Sequence, residues 1–555
     1  MCSIGAKLTA EKFLIDQRER FVAAVRERWR GYERELLISV VRALDVAAYD
    51  HVLGVDGGEG PSSIRLRGAA TALRPLLEAV RGMPGPMPWF PSNPDLSPAF
   101  DKYLLDCGYF AVAIRLAALE RYGIAKTTRV NTDKILIDVL PEGQERADLE
   151  AMHAANDRAV QKARALLPQL DADGPEVVRR MTRYGRVDQG WFIGYDNDQF
   201  LLDHYRARAE VEAAGVVEAA ALPPSGLIGG RPFSDWSTAS THACGTVLHH
   251  FDAATLLRSR HSELDIRDLL TIYARRDDIA EVLVERGNSV DGARQLMAGL
   301  MLDAEGAASS EIRHEIPLAY YIDAGEHFVL LPLFGALMNS HAGLLDYLRR
   351  TYRGEWDQIV EGREAIFRAD LRSLLPEPRY NVPGKGLKIR RKDKSVLTDV
   401  DAVVLDRDTG RLVFVQLKWH DAYGFGLAER ASRQENLLKY GNEWVDRVHS
   451  WIDGRTSHDI SAAYGWGEAG SIPPQILVMA RHSSQFAGET RYDRRASWIS
   501  WNALTEEMHA SDCDGFGTAI SRAQARLPQR PDSAGASIIE LPGITVEVRT
   551  RPTLI

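Results

Sequence analysis

A short alternation of apolar and polar segments near residue 400 is the most informative stretch of the chain. Two nearly continuous apolar runs, residues 400–405 and 412–417, flank the polar segment DRDTG. Gly410 in that segment can adopt the positive φ that a short antiparallel connection needs. The pattern therefore predicts a β-hairpin in which Asp406 faces Arg411. The register that follows pairs Leu405 with Leu412, Val403 with Phe414, Asp401 with Gln416 and Asp399 with Lys418.

The predicted hairpin carries polar side chains at its open end, although both of its faces are apolar near the turn. Strands that are apolar on both faces belong inside a covered sheet. Polar groups there are costly unless they bind one another or an ion. One interpretation is a structural ion pair between Asp399 and Lys418. The other is a Mg²⁺ site, with Asp401 and the Gln416 carbonyl oxygen as ligands and the Lys418 ammonium on the same face.

Apolar positions at helical spacing dominate the chain before this hairpin. We therefore predict a large, mostly α-helical N-terminal region, followed by an α/β part in which a mixed sheet is flanked by helices. The expected units are a helical domain at 1–222, a mostly helical second domain with a hairpin at 237–352, an α/β domain at 355–525, and an extension with a terminal strand at 526–555.

Composition excludes several classes of protein. The chain has 555 residues and a net charge of −9, which argues against a generally basic nucleic-acid-binding surface, so that any such surface must be local. The four cysteines lie far apart without a CxxC pair, which fits a reducing cytoplasm better than a disulfide framework or a zinc ribbon. The longest apolar run, residues 328–338, is too short to span a bilayer, so we expect no membrane role.

Two further features precede the hairpin. Residues 357–375 have the apolar period of a helix, and Glu364 falls on the stripe that includes Phe367 and Leu371. The segment RYNVPGKGLKIRRKDK, at 379–394, predicts a strand with a cationic exposed face. Such a face is often merely solvated, but it can also hold backbone phosphates. The candidate nucleic-acid-binding residues are Lys385, Lys388, Arg390, Arg391 and Lys392.

Asp401 followed by Gln416-Leu417-Lys418 across a hairpin resembles the active-site motif of the PD-(D/E)xK nuclease superfamily, which has the restriction-endonuclease-like fold. Gln416 stands where an acidic residue is usual, and this is similar to the Gln-x-Lys variant of Mrr-like restriction nucleases. The resemblance covers residues 355–505. The predicted order of elements there, helix, three strands, helix and strand, matches the core of that superfamily.

The resemblance implies a Mg²⁺- or Mn²⁺-dependent nuclease that acts on nucleic acid, with DNA as the expected substrate. Asp401 would be the principal metal ligand and Gln416 a neutral oxygen ligand, while Lys418 would position the attacking water. Glu364 matches the acid on the first helix of the superfamily and, with Asp399, would be a supporting metal ligand. An ion pair between Glu364 and a nearby Arg or Lys is an equal alternative.

The wider biological role is an expectation from resemblance alone. Proteins of this superfamily often serve in restriction or anti-phage defence, so a cytoplasmic defence nuclease is expected. The N-terminal region would then sense a signal, regulate substrate access, or bind a protein partner or a second copy. The alternative is a catalytically inactive relative that binds nucleic acid or a protein, with Gln416 marking the loss of the reaction.

Overall fold

The structure is a computed structural model that describes residues 9–55, 60–140, 143–338, 340–421, 426–488, 491–526 and 535–550. It combines helices with several sheets, which confirms the mixed helix-and-sheet class expected from the sequence. The linker residues 527–534, within the predicted C-terminal extension, lie outside the described residues.

The chain up to residue 220 is built on long helices that pack around an apolar core, with two short pairs of strands. Thr9 caps the first helix, because its side chain accepts a hydrogen bond from the Lys12 amide at 3.2 Å. The elements are α1 (Ala10–Arg28), α2 (Glu33–Val52), α3 (Pro61–Arg67), α4 (Ala69–Val80), α5 (Ser97–Ala118), β1 (Ala125–Arg129), β2 (Lys134–Val139), α6 (Gly143–Ala165), α7 (Gln169–Ala172), α8 (Gly174–Tyr184), β3 (Gly185–Asp188), β4 (Phe192–Tyr195) and α9 (Gln199–Ala220).

The next stretch contains the longest helix and a small four-stranded sheet. Its hairpin, β9 with β10, lies at the position expected for the second region, although its first strand starts only at Tyr321. The elements are β5 (Leu227–Ile228), β6 (Arg231–Pro232), α10 (Phe233–Arg260), α11 (Ile266–Leu269), β7 (Ile272–Arg275), α12 (Arg276–Glu285), α13 (Val290–Gly299), β8 (Met301–Leu302), α14 (Ala304–Arg313), β9 (Tyr321–Asp323), β10 (Phe328–Leu331), α15 (Leu333–Leu337) and α16 (Ser340–Thr351).

The remaining elements surround the predicted hairpin. They are α17 (Arg353–Val360), α18 (Arg363–Leu374), β11 (Tyr380–Asn381), β12 (Leu387–Arg390), β13 (Val396–Val400), β14 (Ala402–Asp406), β15 (Arg411–Lys418), α19 (Leu427–Ile452), α20 (Ser457–Tyr464), β16 (Gln475–Ala480), β17 (Ser497–Ser500), α21 (Trp501–His509), α22 (Phe516–Gln524), β18 (Gly535–Leu541) and β19 (Ile544–Thr550).

A five-stranded mixed sheet holds the hairpin at its centre, in the order β11-β14-β15-β16-β17. β14 and β15 are antiparallel, and β15, β16 and β17 are parallel. One face packs on α18, α21 and α22 through Phe367, Leu504 and Phe516, and the other packs on α19 through Leu437 and Val445. Because both faces are covered, the strands are apolar on both sides, as their sequence indicated.

The hairpin register is confirmed from the turn as far as Ala402. The structure pairs Asp406 with Arg411, Leu405 with Leu412 and Val403 with Phe414. The prediction was wrong for Asp399, which does not face Lys418. The chain bends at Asp401, and Asp399 belongs to β13, where it pairs with Lys388 of β12. The two strands β12 and β13 therefore form a separate ribbon, called here the β12–β13 ribbon.

The predicted helix over 357–375 is two helices. Gly362 has a φ of 92°, a conformation that a residue with a side chain rarely adopts, and it separates α17 from α18. Arg363, Phe367 and Leu371, spaced four residues apart, form the buried stripe of α18, and Glu364 in the first turn falls beside that stripe. The prediction that Glu364 lies on the buried stripe was therefore wrong, since its side chain is exposed.

The C-terminal strands join a sheet near the start of the chain. The expected terminal strand is β19, which runs parallel to β2 and antiparallel to β18, in a sheet of order β1-β2-β19-β18. Val546 of β19 is fully buried in the core that also contains Leu14 and Phe110. The two ends of the chain thus share one core.

Candidate active site

Asp401 occupies the bend between β13 and β14, with 5% of its surface exposed. Its Oδ2 accepts a hydrogen bond from the Leu417 amide at 2.7 Å and another from the Gln416 side-chain amide. Arg368 of α18 donates its Nε–H to the Asp401 backbone carbonyl. These bonds satisfy a polar group that would otherwise be costly to bury.

Gln416 is buried on the middle strand and is adjacent to Val478 of the parallel strand β16. Its amide N–H₂ donates to Asp401, which leaves the carbonyl oxygen as the group that can face another partner. The sequence predicted that Asp401 and Gln416 lie side by side, and the contact between their side chains confirms this. The ladder between β14 and β15 ends one pair earlier, at Ala402 and Val415, so the contact depends on the bend.

Several charges act on the Asp401 carboxyl group. Burial is the largest influence and raises its pKa to about 6, while the Leu417 amide lowers the pKa. Glu364 and Asp399 raise the pKa by repulsion, and Lys418 lowers it by attraction. The four charged residues predicted for the site are therefore close enough to interact, even though Glu364 and Asp399 are exposed.

Lys418 ends β15 and is half-buried, on the same face of the strand as Gln416. The end of β15 is joined to the residue that follows β16, because the Arg481 amide donates to the Lys418 carbonyl at 2.7 Å. The guanidinium of Arg481 lies over the rings of Trp419 and Trp501, 4.5 and 5.3 Å from their centroids. The strand end that carries Lys418 is thus held by packing as well as by the sheet.

The donor set fits a divalent ion that has few protein ligands. Within the described residues, no three His, Cys, Asp or Glu side chains are grouped so that they could hold a metal ion. Mg²⁺ commonly retains several waters and takes only one or two carboxylates from a protein. Asp401, the Gln416 carbonyl oxygen and the exposed Glu364 are hard oxygen donors of that kind. Asp399 is on the ribbon, with its backbone carbonyl bound by the Trp444 indole N–H at 2.7 Å.

All five basic residues predicted to contact nucleic acid have exposed side chains. Lys388 and Arg390 lie on the outer face of β12, whereas Ile389 between them is fully buried. Arg391 and Lys392 follow the strand, and Lys385 precedes it. The cationic face expected from the sequence is therefore present on the ribbon that leads into Asp401.

An ion-pair network that was not predicted from the sequence connects the site to the N-terminal region. Asp421, three residues after Lys418, lies 2.6 Å from Arg363 and 4.0 Å from Arg349 of α16. Arg349 also lies 3.1 Å from Asp346, which pairs with Arg313 at 2.8 Å. These residues are far apart in the sequence, and no spacing rule relates them. We call this set the Asp346–Asp421 network.

Comparison of the chain with models of known protein families, with curated proteins and with solved structures finds no match. Within the part of the chain that the structure describes, there is no helix with the length and apolar character needed to cross a membrane.

Replacing Asp401 with Asn should change the stability of the metal-free protein in a pH-dependent way. A carboxyl group with a raised pKa in the folded state contributes stability below its unfolded pKa, and this contribution is lost as the pH rises through about 6. Asn cannot ionise. The free energy of unfolding of Asp401→Asn, relative to that of wild type, should therefore increase by roughly 1–3 kcal/mol when the pH is raised from about 4.5 to 8. Urea denaturation in a chelator measures this difference, and an equal effect at both pH values would contradict the raised pKa.

Proposed function

We propose that the protein is a Mg²⁺- or Mn²⁺-dependent nuclease that hydrolyses phosphodiester bonds of DNA. The observation that carries this proposal is the buried Asp401 carboxylate, which is bound by Gln416 and lies within the electrostatic range of Lys418 and Glu364. A buried carboxyl group that is repelled by two other carboxylates favours a nearby cation. The resemblance of these residues to the PD-(D/E)xK motif supports the same proposal.

The chemistry divides between the ion and the chain. When bound, a divalent ion lowers the pKa of a water molecule and offsets the charge that develops on the phosphate oxygens. Asp401, in its ionised form, and the Gln416 carbonyl oxygen would hold the ion, with Glu364 as a further oxygen donor. Lys418 would orient the attacking water and attract a non-bridging phosphate oxygen. The attacking water gives up one proton to solvent as its oxygen bonds to phosphorus. The bond to the leaving oxygen breaks in the same step, and that oxygen takes up a proton from solvent.

The β12–β13 ribbon is suited to hold the substrate. Its exposed basic side chains follow one another directly before the bend at Asp401. Contacts of this kind bind phosphates irrespective of base sequence and weaken as salt increases. The ribbon therefore supports nucleic acid as the substrate class, although the chain as a whole is acidic.

The Asp346–Asp421 network supports a regulatory role for the N-terminal region. It joins α16 to the residues on either side of the site, since Arg363 precedes Glu364 and Asp421 follows Lys418. A signal that displaces α16 would then alter the positions of both residues. A defence role, and a partner or second copy bound through the N-terminal region, remain expectations from the resemblance.

A second candidate function is nucleic-acid binding without cleavage. The observation that favours it is the hydrogen-bonding of Asp401 Oδ2, which is satisfied by two protein N–H groups. A carboxylate that is bound in this way can be purely structural. The same site then serves as a cationic surface, and Gln416 replaces the acid that the reaction needs.

Replacing Asp401 with Asn or Lys418 with Met should abolish cleavage. We expect wild-type protein to cleave plasmid or linear DNA in the presence of Mg²⁺ or Mn²⁺. A chelator should abolish this cleavage. Each variant should lose at least about a hundredfold in rate, because each removes a group that acts directly on the reacting atoms. Gel assays of matched protein concentrations, with RNA in parallel, measure the loss.

Asp406→Asn is the matched control, since Asp406 is also buried but lies at the other end of β14, beside Arg379. It should cleave at a rate close to wild type. Cleavage that persists at the wild-type rate in both active-site variants removes the catalytic assignment. Chelator-insensitive binding with no cleavage by wild type supports the second candidate.

Replacing Lys388 and Arg390 with Gln should weaken DNA binding uniformly across sequences. Each lost phosphate contact should reduce the magnitude of the slope of log affinity against log salt by about 1. The slope of the double variant should therefore be smaller in magnitude by about 2. Fluorescence anisotropy of a labelled duplex over a salt series measures the slope. Lys439→Gln, on the exposed side of α19, is the control for the loss of a positive surface charge outside the ribbon. An unchanged slope in the double variant would show that the ribbon does not contact phosphates.

A further inference from the structure

A cavity of about 260 Å³ lies immediately beyond the candidate site. It opens at the carboxyl ends of the adjacent parallel strands β15 and β16, where Lys418 is paired with Ala480. The first turns of α19 form one wall, and α5, α6 and β2 of the N-terminal region form the other. Ligands of α/β proteins commonly bind in crevices at the carboxyl ends of parallel strands. We call this space the strand-end cavity.

Two histidines line the strand-end cavity, each two residues beyond a paired strand residue, and His420 is half-buried whereas His482 is buried. His420 follows Lys418, and His482 follows Ala480. The Nε2 atom of each ring is buried without a hydrogen-bond partner among the described residues. His482 is only 8% exposed. Burial lowers the pKa of His420 to about 4 and that of His482 to about 3, so both rings are neutral near pH 7.

Unpaired buried nitrogens are costly, and a ligand in the cavity can supply the partner that they lack. A neutral imidazole with its proton on Nε2 is a hydrogen-bond donor. The alternative, a transition metal bound by the two rings, needs a third protein ligand, and the described residues contain no group of three suitable side chains. In the tautomer that carries the proton on Nε2, both histidines can therefore donate a hydrogen bond to a ligand in the cavity.

The charged lining of the cavity favours an anion. Arg115, Arg430 and Arg433 line it together with two acids, Glu145 and Asp421. Arg430 forms two hydrogen bonds with Glu145, and Asp421 lies 2.6 Å from Arg363, which is outside the lining. Arg433 donates to the Asp421 backbone carbonyl at 2.7 Å, and Arg115 donates to the His314 carbonyl at 3.1 Å. The three guanidinium groups of the lining exceed its two carboxylates by one positive charge. Arginine with neutral N–H donors is a combination that recognises phosphate.

The wall formed by the N-terminal region also presents apolar side chains, namely Leu119, Ile124, Val139 and Met152, and Phe486 adds to them. An inorganic ion would leave this wall without a contact, whereas a sugar and base would bury it. The volume is slightly below the range of about 300–1,000 Å³ that is usual for drug-sized ligands. It is therefore suited to one nucleotide rather than to a longer segment.

We propose that the strand-end cavity binds the phosphate-bearing terminal nucleotide of a nucleic-acid strand. The phosphate would lie against His420, His482 and the arginines, and the base against the apolar wall. The inference rests on the proposed nuclease function for the identity of the strand, and it adds that the enzyme recognises a phosphorylated end next to the bond it cleaves. Binding alone tests it, without cleavage.

The test measures affinity in a chelator, so that no cleavage occurs. Full-length protein is titrated with oligonucleotides that have a 5′-phosphate, a 3′-phosphate or hydroxyl groups at both ends. One phosphorylated end should bind at least about fivefold more tightly than the hydroxyl ends. Deoxyadenosine monophosphate should displace that oligonucleotide more effectively than inorganic phosphate. Equal affinity for all ends, or equal displacement by the two competitors, overturns the proposal.

Two independent variants locate the preference in the cavity. His420→Phe with His482→Phe keeps the volume of the rings but removes their nitrogens, and Met152→Trp fills the cavity from α6 without altering a histidine. Both should abolish the preference. His341→Phe is the control, because His341 is a buried histidine with an unpartnered Nε2 outside this cavity. A preference that survives in both cavity variants contradicts the proposal.

The outcomes for the cavity and for the nuclease are separable. A protein that cleaves DNA with a divalent ion but has no preference for a phosphorylated end retains the nuclease function and loses the cavity assignment. A protein that prefers a phosphorylated end in the chelator but never cleaves retains the cavity assignment and loses the nuclease function.

Discussion

The structure around the candidate site depends on the burial of one carboxylate at a bend in the chain. Asp401 interrupts the path from β13 to β14, and its Oδ2 is bound by the Leu417 amide and the Gln416 side chain. These bonds fix the open end of the hairpin in register with its turn. They also place a group with a raised pKa beside Lys418 and Glu364. The hydrogen bonds that the buried carboxyl group needs therefore also produce an arrangement that can bind a cation.

The covered sheet places this arrangement between two parts of the chain. α18 and α19 pack on opposite faces, and the strand ends beyond Lys418 meet helices of the N-terminal region. Two features join residues of the N-terminal region to residues near the site. They are the Asp346–Asp421 network and the strand-end cavity. Both contain buried charges whose partners come from distant parts of the sequence, and breaking one partner of such a pair is costly. The N-terminal region therefore contributes to the surroundings of the site as well as to the fold.

Features that depend on the local alternation of apolar and polar residues could be predicted from the sequence. Features that depend on contacts between distant residues could not. The register from Asp406 to Ala402 followed from the turn, and β16 is the strand that the predicted order of elements places after the helix α19. The bend at Asp401 has no local signal, so Asp399 was placed opposite Lys418. Arg363 rather than Glu364 lies in the buried stripe of α18, where its guanidinium bonds to Asp421, which is 58 positions away in the sequence. The pairing of β19 with β2 joins residues about 400 positions apart, and no periodicity reveals such a partner.

Binding of Mn²⁺ to the purified protein shows whether Asp401 is a metal ligand. Electron paramagnetic resonance of unbound Mn²⁺ gives the affinity of wild type, Asp401→Asn and Gln416→Glu under one set of conditions. We expect wild type to bind Mn²⁺ and Asp401→Asn to lose that binding. Gln416→Glu should bind Mn²⁺ about tenfold more tightly, because a second carboxylate replaces a neutral oxygen ligand. Equal binding by wild type and Asp401→Asn would contradict the assignment of Asp401 as the principal ligand.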